Sequence, residues 1–171
     1  MKRRLILAAA AALLLTAASA QTPEYRRALD LYGHGMYAEA AKILEALPGS
    51  EAECYAALCA LELQTPGYEK RAEAFLDKWP ESPLVPQVNY RWGLDLFDRG
   101  LYEDASDRFG SISQSELMKE QVPEFAYKKA YSAFGAGDLG LARMLLEKMQ
   151  TLPYSDYTAP GEYSLDRKSV V

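Results

Sequence analysis

Histidine is nearly missing from this chain of 171 residues: His34 stands alone, and there are only two cysteines, Cys54 and Cys59. One histidine with no ligand partners at useful spacing excludes an ordinary His-containing metal site. Any serine- or cysteine-based triad would also have to use His34. It lies between Gly33 and Gly35 in what reads as a helix-ending turn, poor support for a general base. Nothing resembles a nucleophile elbow, a phosphate loop or a zinc-protease helix. Acidic pairs such as Glu51/Glu53 and Glu103/Asp104 read as solvated helix faces and first turns. The expectation is a protein that is not an enzyme and needs no metal or cofactor.

The cysteines are five residues apart in EAECYAALCALEL, which reads as a single helix. Five helical residues rise about 7.5 Å and turn away from the starting face. Cα separations beyond about 7 Å do not close a disulfide. Both cysteines therefore read as small buried or half-buried apolar residues, even in an oxidising compartment.

Membrane-length apolar runs and basic surfaces are lacking as well. The apolar run over residues 5–15 is 11 long, about half of the roughly 20 residues that a membrane span needs. It follows Lys2, Arg3 and Arg4 and leads to Ala18, Ser19 and Ala20, the order of a secretory signal peptide over residues 1–20. Its short, strongly apolar core favours the general secretory route over twin-arginine export. Cleavage is expected before Gln21. No cysteine stands there for lipid attachment, so the expected product is soluble and exported, with the bacterial periplasm preferred and no stable membrane insertion after cleavage. The precursor carries 19 basic and 24 acidic residues, net −5; without the leader the balance is 16 against 24, net −8. An acidic chain without a basic stripe argues against nucleic acid and anionic membranes.

What the chain does have is a repeat. Four alanines each follow a glycine by five residues and precede a bulky apolar residue by four: Gly35/Ala40/Leu44, Gly67/Ala72/Leu76, Gly100/Ala105/Phe109 and Gly137/Ala142/Leu146. The alanines are 32, 33 and 37 residues apart. A period near 34 predicts stacked helix–turn–helix units. Glycine ends the first helix in the left-handed conformation. Alanine marks a close helix crossing, and the bulky residue one turn on fills the space between helices.

These features resemble the tetratricopeptide-repeat (TPR) family over residues 22–153. The clearest unit is YRWGLDLFDRGLYEDASDRF, with Gly93 at the family's close-packing glycine and Tyr102 as the aromatic that opens the second helix. Tyr37 fills that slot in the first unit. Elsewhere Ala28, Ala60 and Ala130 replace the glycine, and the second unit has Glu69 in the aromatic slot with Tyr68 one place early. The resemblance implies an all-α fold: a right-handed superhelix, or solenoid, of about four helix pairs. The units run over about 22–49, 50–83, 84–121 and 122–153. Helices are expected near 23–34 and 37–47, 51–64 and 68–79, 87–99 and 102–113, and 123–136 and 138–151. No strand-period alternation stands out. Residues 111–121 make a longer connection, expected to extend a helix or add a turn, and account for the 37-residue spacing.

Positions fifteen, eleven and eight residues ahead of each repeat alanine share one face of the first helix. In the family resembled, that face lines the concave surface. Here it carries Tyr25, Leu29 and Tyr32; Ala57, Leu61 and Gln64; Tyr90, Leu94 and Phe97; and Tyr127, Tyr131 and Phe134. Seven of the twelve are aromatic in a chain that is 11% aromatic. Packing between repeats also wants large residues. Tyrosine at three outermost positions nevertheless favours a wet surface, because a buried hydroxyl needs a partner. The residues expected to bind a partner are Tyr25, Tyr32, Tyr90, Leu94, Phe97, Tyr127, Tyr131 and Phe134.

Beyond Pro153, DYTAPGEYSL reads as the opening of a further helix within residues 154–165. A back-translation of residues 166–171 with a following stop reads as a common sequencing adapter, so a non-native tail on the front part of a longer protein is expected. Two functions stay open. One is an envelope scaffold that holds a peptide or helix of another protein in the aromatic groove. The other is a glycan-binding protein using the same face, as the architecture also resembles outer-membrane carbohydrate-capture proteins, although their usual lipid anchor and large inserted region are missing.

Overall fold

The computed structural model describes residues 22–153 and 155–157. The expected signal peptide, the cleavage point at Gln21, the adapter-like tail and most of the expected further helix lie outside the described residues. Eight α-helices and no strand occur among them: α1 Pro23–Gly33, α2 Tyr37–Leu44, α3 Ser50–Leu63, α4 Tyr68–Lys78, α5 Val85–Asp98, α6 Tyr102–Gly110, α7 Val122–Gly135 and α8 Leu139–Met149. A 3₁₀ turn at Gln114–Glu116 occupies the long connection. The protein is all-α, and each helix begins and ends within three residues of its expected place.

The chain divides between Val88 and Asn89, inside α5. In the first unit α1 packs on α2, α2 on α3 and α3 on α4; in the second α6 packs on α7 and α7 on α8. Neighbours in sequence are thus neighbours in space within each unit.

Local chemistry sets the helix ends. Thr22 Oγ1 accepts a hydrogen bond from Tyr25 N (3.1 Å) ahead of Pro23, and Asp138 Oδ1 accepts one from Leu141 N (2.9 Å). At the other ends, Gly35, Gly100 and Gly137 have φ of 74°, 75° and 86°. Each positive φ lets the following residue donate to a carbonyl five back: Met36 N to Leu31 O, Leu101 N to Leu96 O and Asp138 N to Ala133 O, all 2.9 Å. The second repeat departs from this scheme. There Gln64 itself takes the left-handed conformation (φ 48°) and Thr65 N reaches Ala60 O, while Gly67 (φ 79°) begins α4 instead of ending α3.

The repeat alanines Ala40, Ala72, Ala105 and Ala142 are all fully buried, as are Leu44, Phe109 and Leu146 in the filler position. Leu76 is a correction: it is only half-buried, and Phe75 fills the space instead. Gly67 runs directly into Tyr68, whereas one residue separates glycine from helix in the other repeats. That earlier start accompanies a filler at i+3 from Ala72, which shares the helix face with i+4.

The close-packing position shows why glycine stands in the third repeat. A Cβ on Gly93 would lie 2.6 Å from Cε1 of Phe109, closer than carbon atoms approach. Ala28 shares a core cluster with Leu44, and Ala130 with Leu146. The Phe109 ring takes the room that a methyl group and a leucine share in the first and fourth repeats.

Candidate functional site

Two tyrosine-rich clusters arise, one in each unit. In the first, Tyr32 on α1 meets Tyr37 on α2 edge-on with ring centroids 5.3 Å apart, and Tyr55 on α3 at 5.2 Å. Tyr25 meets Tyr55 at 6.4 Å. Tyr25 is buried near Glu51 in the first turn of α3; burial first, and the charge of Glu51 second, raise its pKa. Tyr32 and Leu29 are half-buried.

The second unit repeats the device and adds an open side. Tyr90 on α5 is 2% exposed. Its hydroxyl donates to Glu124 Oε2 at 2.9 Å, again an acid in the first turn of the next repeat's first helix. Burial, then this hydrogen bond, raises the Tyr90 pKa. Its ring meets Phe125, which meets Phe109, so these three rings belong to the core. Leu94 is buried with them.

One row of rings stays partly open. Phe97 on α5 meets Tyr102 on α6 at 5.5 Å and Tyr131 on α7 at 6.5 Å. Tyr131 meets Tyr127 at 5.2 Å and Phe134 at 6.1 Å. Phe97, Tyr102, Tyr127 and Tyr131 are half-buried, and Phe134 is 38% exposed. Steps of four and three place Tyr127, Tyr131 and Phe134 on one side of α7. Tyr102 is also wedged against Gly135, where a Cβ would fall 2.3 Å from its Cδ2. Charge borders the row. Lys128 Nζ lies 5.0 Å from the Phe97 ring centre, 2.8 Å from Asp98 Oδ1 and 3.5 Å from Glu124 Oε1. Beyond the helices, the Tyr157 ring sits 6.0 Å from that of Tyr127, tilted by 41°.

Of the eight residues expected to bind a partner, Tyr25, Tyr90 and Leu94 are buried, while Tyr32, Phe97, Tyr127, Tyr131 and Phe134 keep open surface. Phe97, Tyr127, Tyr131 and Phe134 come together in one row. Tyr55, Tyr102 and Glu124 belong to these clusters without having been singled out for them. Tyr102 carried a signal, since it opens a second helix; Tyr55 and Glu124 stand at no recurring aromatic position. His34 lies at the exposed end of α1 with Nδ1 2.7 Å from Asp30 O. Cys54 and Cys59 are fully buried free thiols, and burial pushes both pKa values up to about 12. No group of metal-ligating side chains occurs among the described residues, and no described helix is long and apolar enough to cross a membrane.

No family model, no curated protein and no solved structure matches this chain.

Proposed function

We propose that the chain is an exported, non-enzymatic interaction scaffold of the tetratricopeptide-repeat kind, binding a peptide or helix of another protein in the bacterial cell envelope. The observation that carries this reading is the half-open row of Phe97, Tyr127, Tyr131 and Phe134, four rings from two helices, each in contact with the next. Interfaces favour rigid aromatic anchors because they bury much apolar area with few rotatable bonds. The tyrosine hydroxyls keep such a surface soluble while it waits for a partner. Tyr157, laid against Tyr127, illustrates that the row accepts an aromatic side chain. The leader-like residues 1–20 support export.

Proteins captured from envelope extract by the full chain should be lost with Tyr127→Ala and Tyr131→Ala. Each substitution should weaken the affinity for the identified partner about thirtyfold, the equivalent of about 2 kcal/mol for a central interface aromatic. Retention of every partner by both folded variants would remove the row from the binding surface. Selective binding to a glycan array, lost in the same variants, would instead establish the carbohydrate reading. Mass analysis of the exported protein should find Gln21, or its pyroglutamate, at the N-terminus; a retained leader counts against export.

A further inference from the structure

The other side of α7 faces a cavity of about 240 Å³. Its walls come from α7, from α8 and Leu152 three residues beyond it, and from the connection after α6. Phe125, Ala126 and Lys129 lie across α7 from Tyr127, Tyr131 and Phe134, since each residue turns the helix by about 100°. The cavity is thus separate from the aromatic row. Ile112, Ser113 and Gln114 form one wall. They belong to the long connection that stretches the last repeat spacing to 37 residues. Its 3₁₀ turn is held by a capping box: Ser113 N donates to Glu116 Oε2 at 2.6 Å, which turns that carboxylate onto the backbone.

Two ammonium groups and no carboxylate line the space among the described residues. Lys129 is half-buried; Lys148 is exposed at the rim. An ammonium has three donors. Lys129 Nζ has one long contact, 3.5 Å to Ile112 O, and lies 5.1 Å from the centre of the Phe125 ring. Burial, and then the neighbouring charge of Lys148, lowers the pKa of Lys129. A lysine held in such a place is under-satisfied, and a negative charge at the cavity mouth would relieve both effects. Phe125, Ala126, Leu145, Met149 and Leu152 form the rest of the wall, and these side chains suit an apolar group attached to that charge. The volume is below the roughly 300 Å³ at which ordinary ligand pockets begin, which restricts the guest to a small one.

We propose that this cavity binds a monocarboxylate bearing a short apolar group, its carboxylate accepting from Lys129 and Lys148 and its apolar part lying against Leu145 and Met149. Such a ligand could be a free short-chain acid or the carboxyl end of a peptide, and the two are separable. With the full chain, the methyl resonance of buried Met149 should shift saturably when hexanoate, or N-acetyl-leucine as a peptide-end mimic, is added up to about 10 mM. Hexanoate alone identifies a free acid, N-acetyl-leucine alone a peptide end, and both together the shared chemistry. Hexanol, lacking the charge, and inorganic phosphate, lacking the apolar part, should each bind at least about tenfold more weakly. Lys129→Met should raise Kd about tenfold or more without lowering the melting temperature, as a charge-assisted hydrogen bond is lost and a desolvated charge removed. Lys148→Met, at an exposed residue, should raise it about threefold and serves even if the first variant misfolds. Hexanol binding as tightly as hexanoate, phosphate binding as tightly as either acid, unchanged affinity in the lysine variants, or no saturable shift with either acid would each overturn the proposal.

Discussion

Helices α3 and α7 hold the same place in the second and fourth repeats and have opposite fates. Ala57, Leu61 and Gln64 occupy the register that Tyr127, Tyr131 and Phe134 occupy on α7. Ala57 and Leu61 are buried, and the helix around them buries Ala52, Cys54, Ala56, Leu58, Cys59 and Ala60 as well. It is lined with small residues nearly all round, so its neighbours approach closely from several sides. On α7 only Phe125, Ala130, Ser132 and Ala133 are buried, and one side carries the open aromatic row. A shared repeat register fixes where a side chain points. Side-chain size and the identity of the neighbours then decide whether that direction is core or surface.

The sharpest way to break the contrast is base. Unfolded cysteine ionises near 9.0, whereas Cys54 and Cys59 in α3 hold their protons to about 12. The unfolded chain therefore binds fewer protons than the folded one above pH 9, and stability that is fully present below that pH falls progressively toward pH 12. Denaturant titrations from about pH 8 to 11 should show this loss. It should be much reduced in a Cys54→Ala/Cys59→Ala variant up to about pH 10, where buried Tyr25 and Tyr90 begin to act in the same direction. An equal loss in the variant would assign the effect elsewhere.

A second break is steric. Ala57→Tyr installs on α3 the residue that α7 tolerates, and overpacking should cost about 3 kcal/mol in chemical denaturation. Gly93→Ala should cost about 2 kcal/mol through its contact with Phe109. In the Phe109→Leu background it should cost at least about 1 kcal/mol less, a coupling that a double-mutant cycle measures. By contrast, Tyr127→Ala should lower stability by about 1 kcal/mol, since the ring is half-open and leaves no sealed cavity. The smallest change is a gain. Gln64→Gly relieves a left-handed non-glycine residue at the end of α3 and should raise stability by about 0.5–1 kcal/mol, read from the melting midpoint.

Much of the fold was legible because repeats announce themselves through steric necessities. Glycine at positive φ, alanine at 0% exposure and a filler one turn later each follow from local geometry, so four aligned copies carried the helix pairs to within three residues. The misreadings share a cause. Gln64 reads as the last residue of the helix over 51–64, because a left-handed glutamine has no distinctive neighbours. Leu76 and Phe75 are both apolar, and a one-residue change in helix start selects between them. The site was legible in part: Phe97, Tyr127, Tyr131 and Phe134 do share a row. Tyr90 is buried with its hydroxyl donated to Glu124, and Tyr25 is buried near Glu51, partners 34 and 26 residues away that no spacing rule within one helix reveals.

The Gly93–Phe109 pair also bears on history. Each of the other repeats bears alanine where this one bears glycine, and the two arrangements are separated by two substitutions whose order matters. Alanine at 93 is blocked while phenylalanine stands at 109, but becomes admissible once that ring has shrunk to leucine. Phenylalanine at 109 is in turn admissible only after a glycine has cleared its place. The passable route in either direction runs through glycine facing leucine, a loosely packed intermediate. Descendants of this repeat that differ at one position should therefore carry that combination, and seldom the reverse.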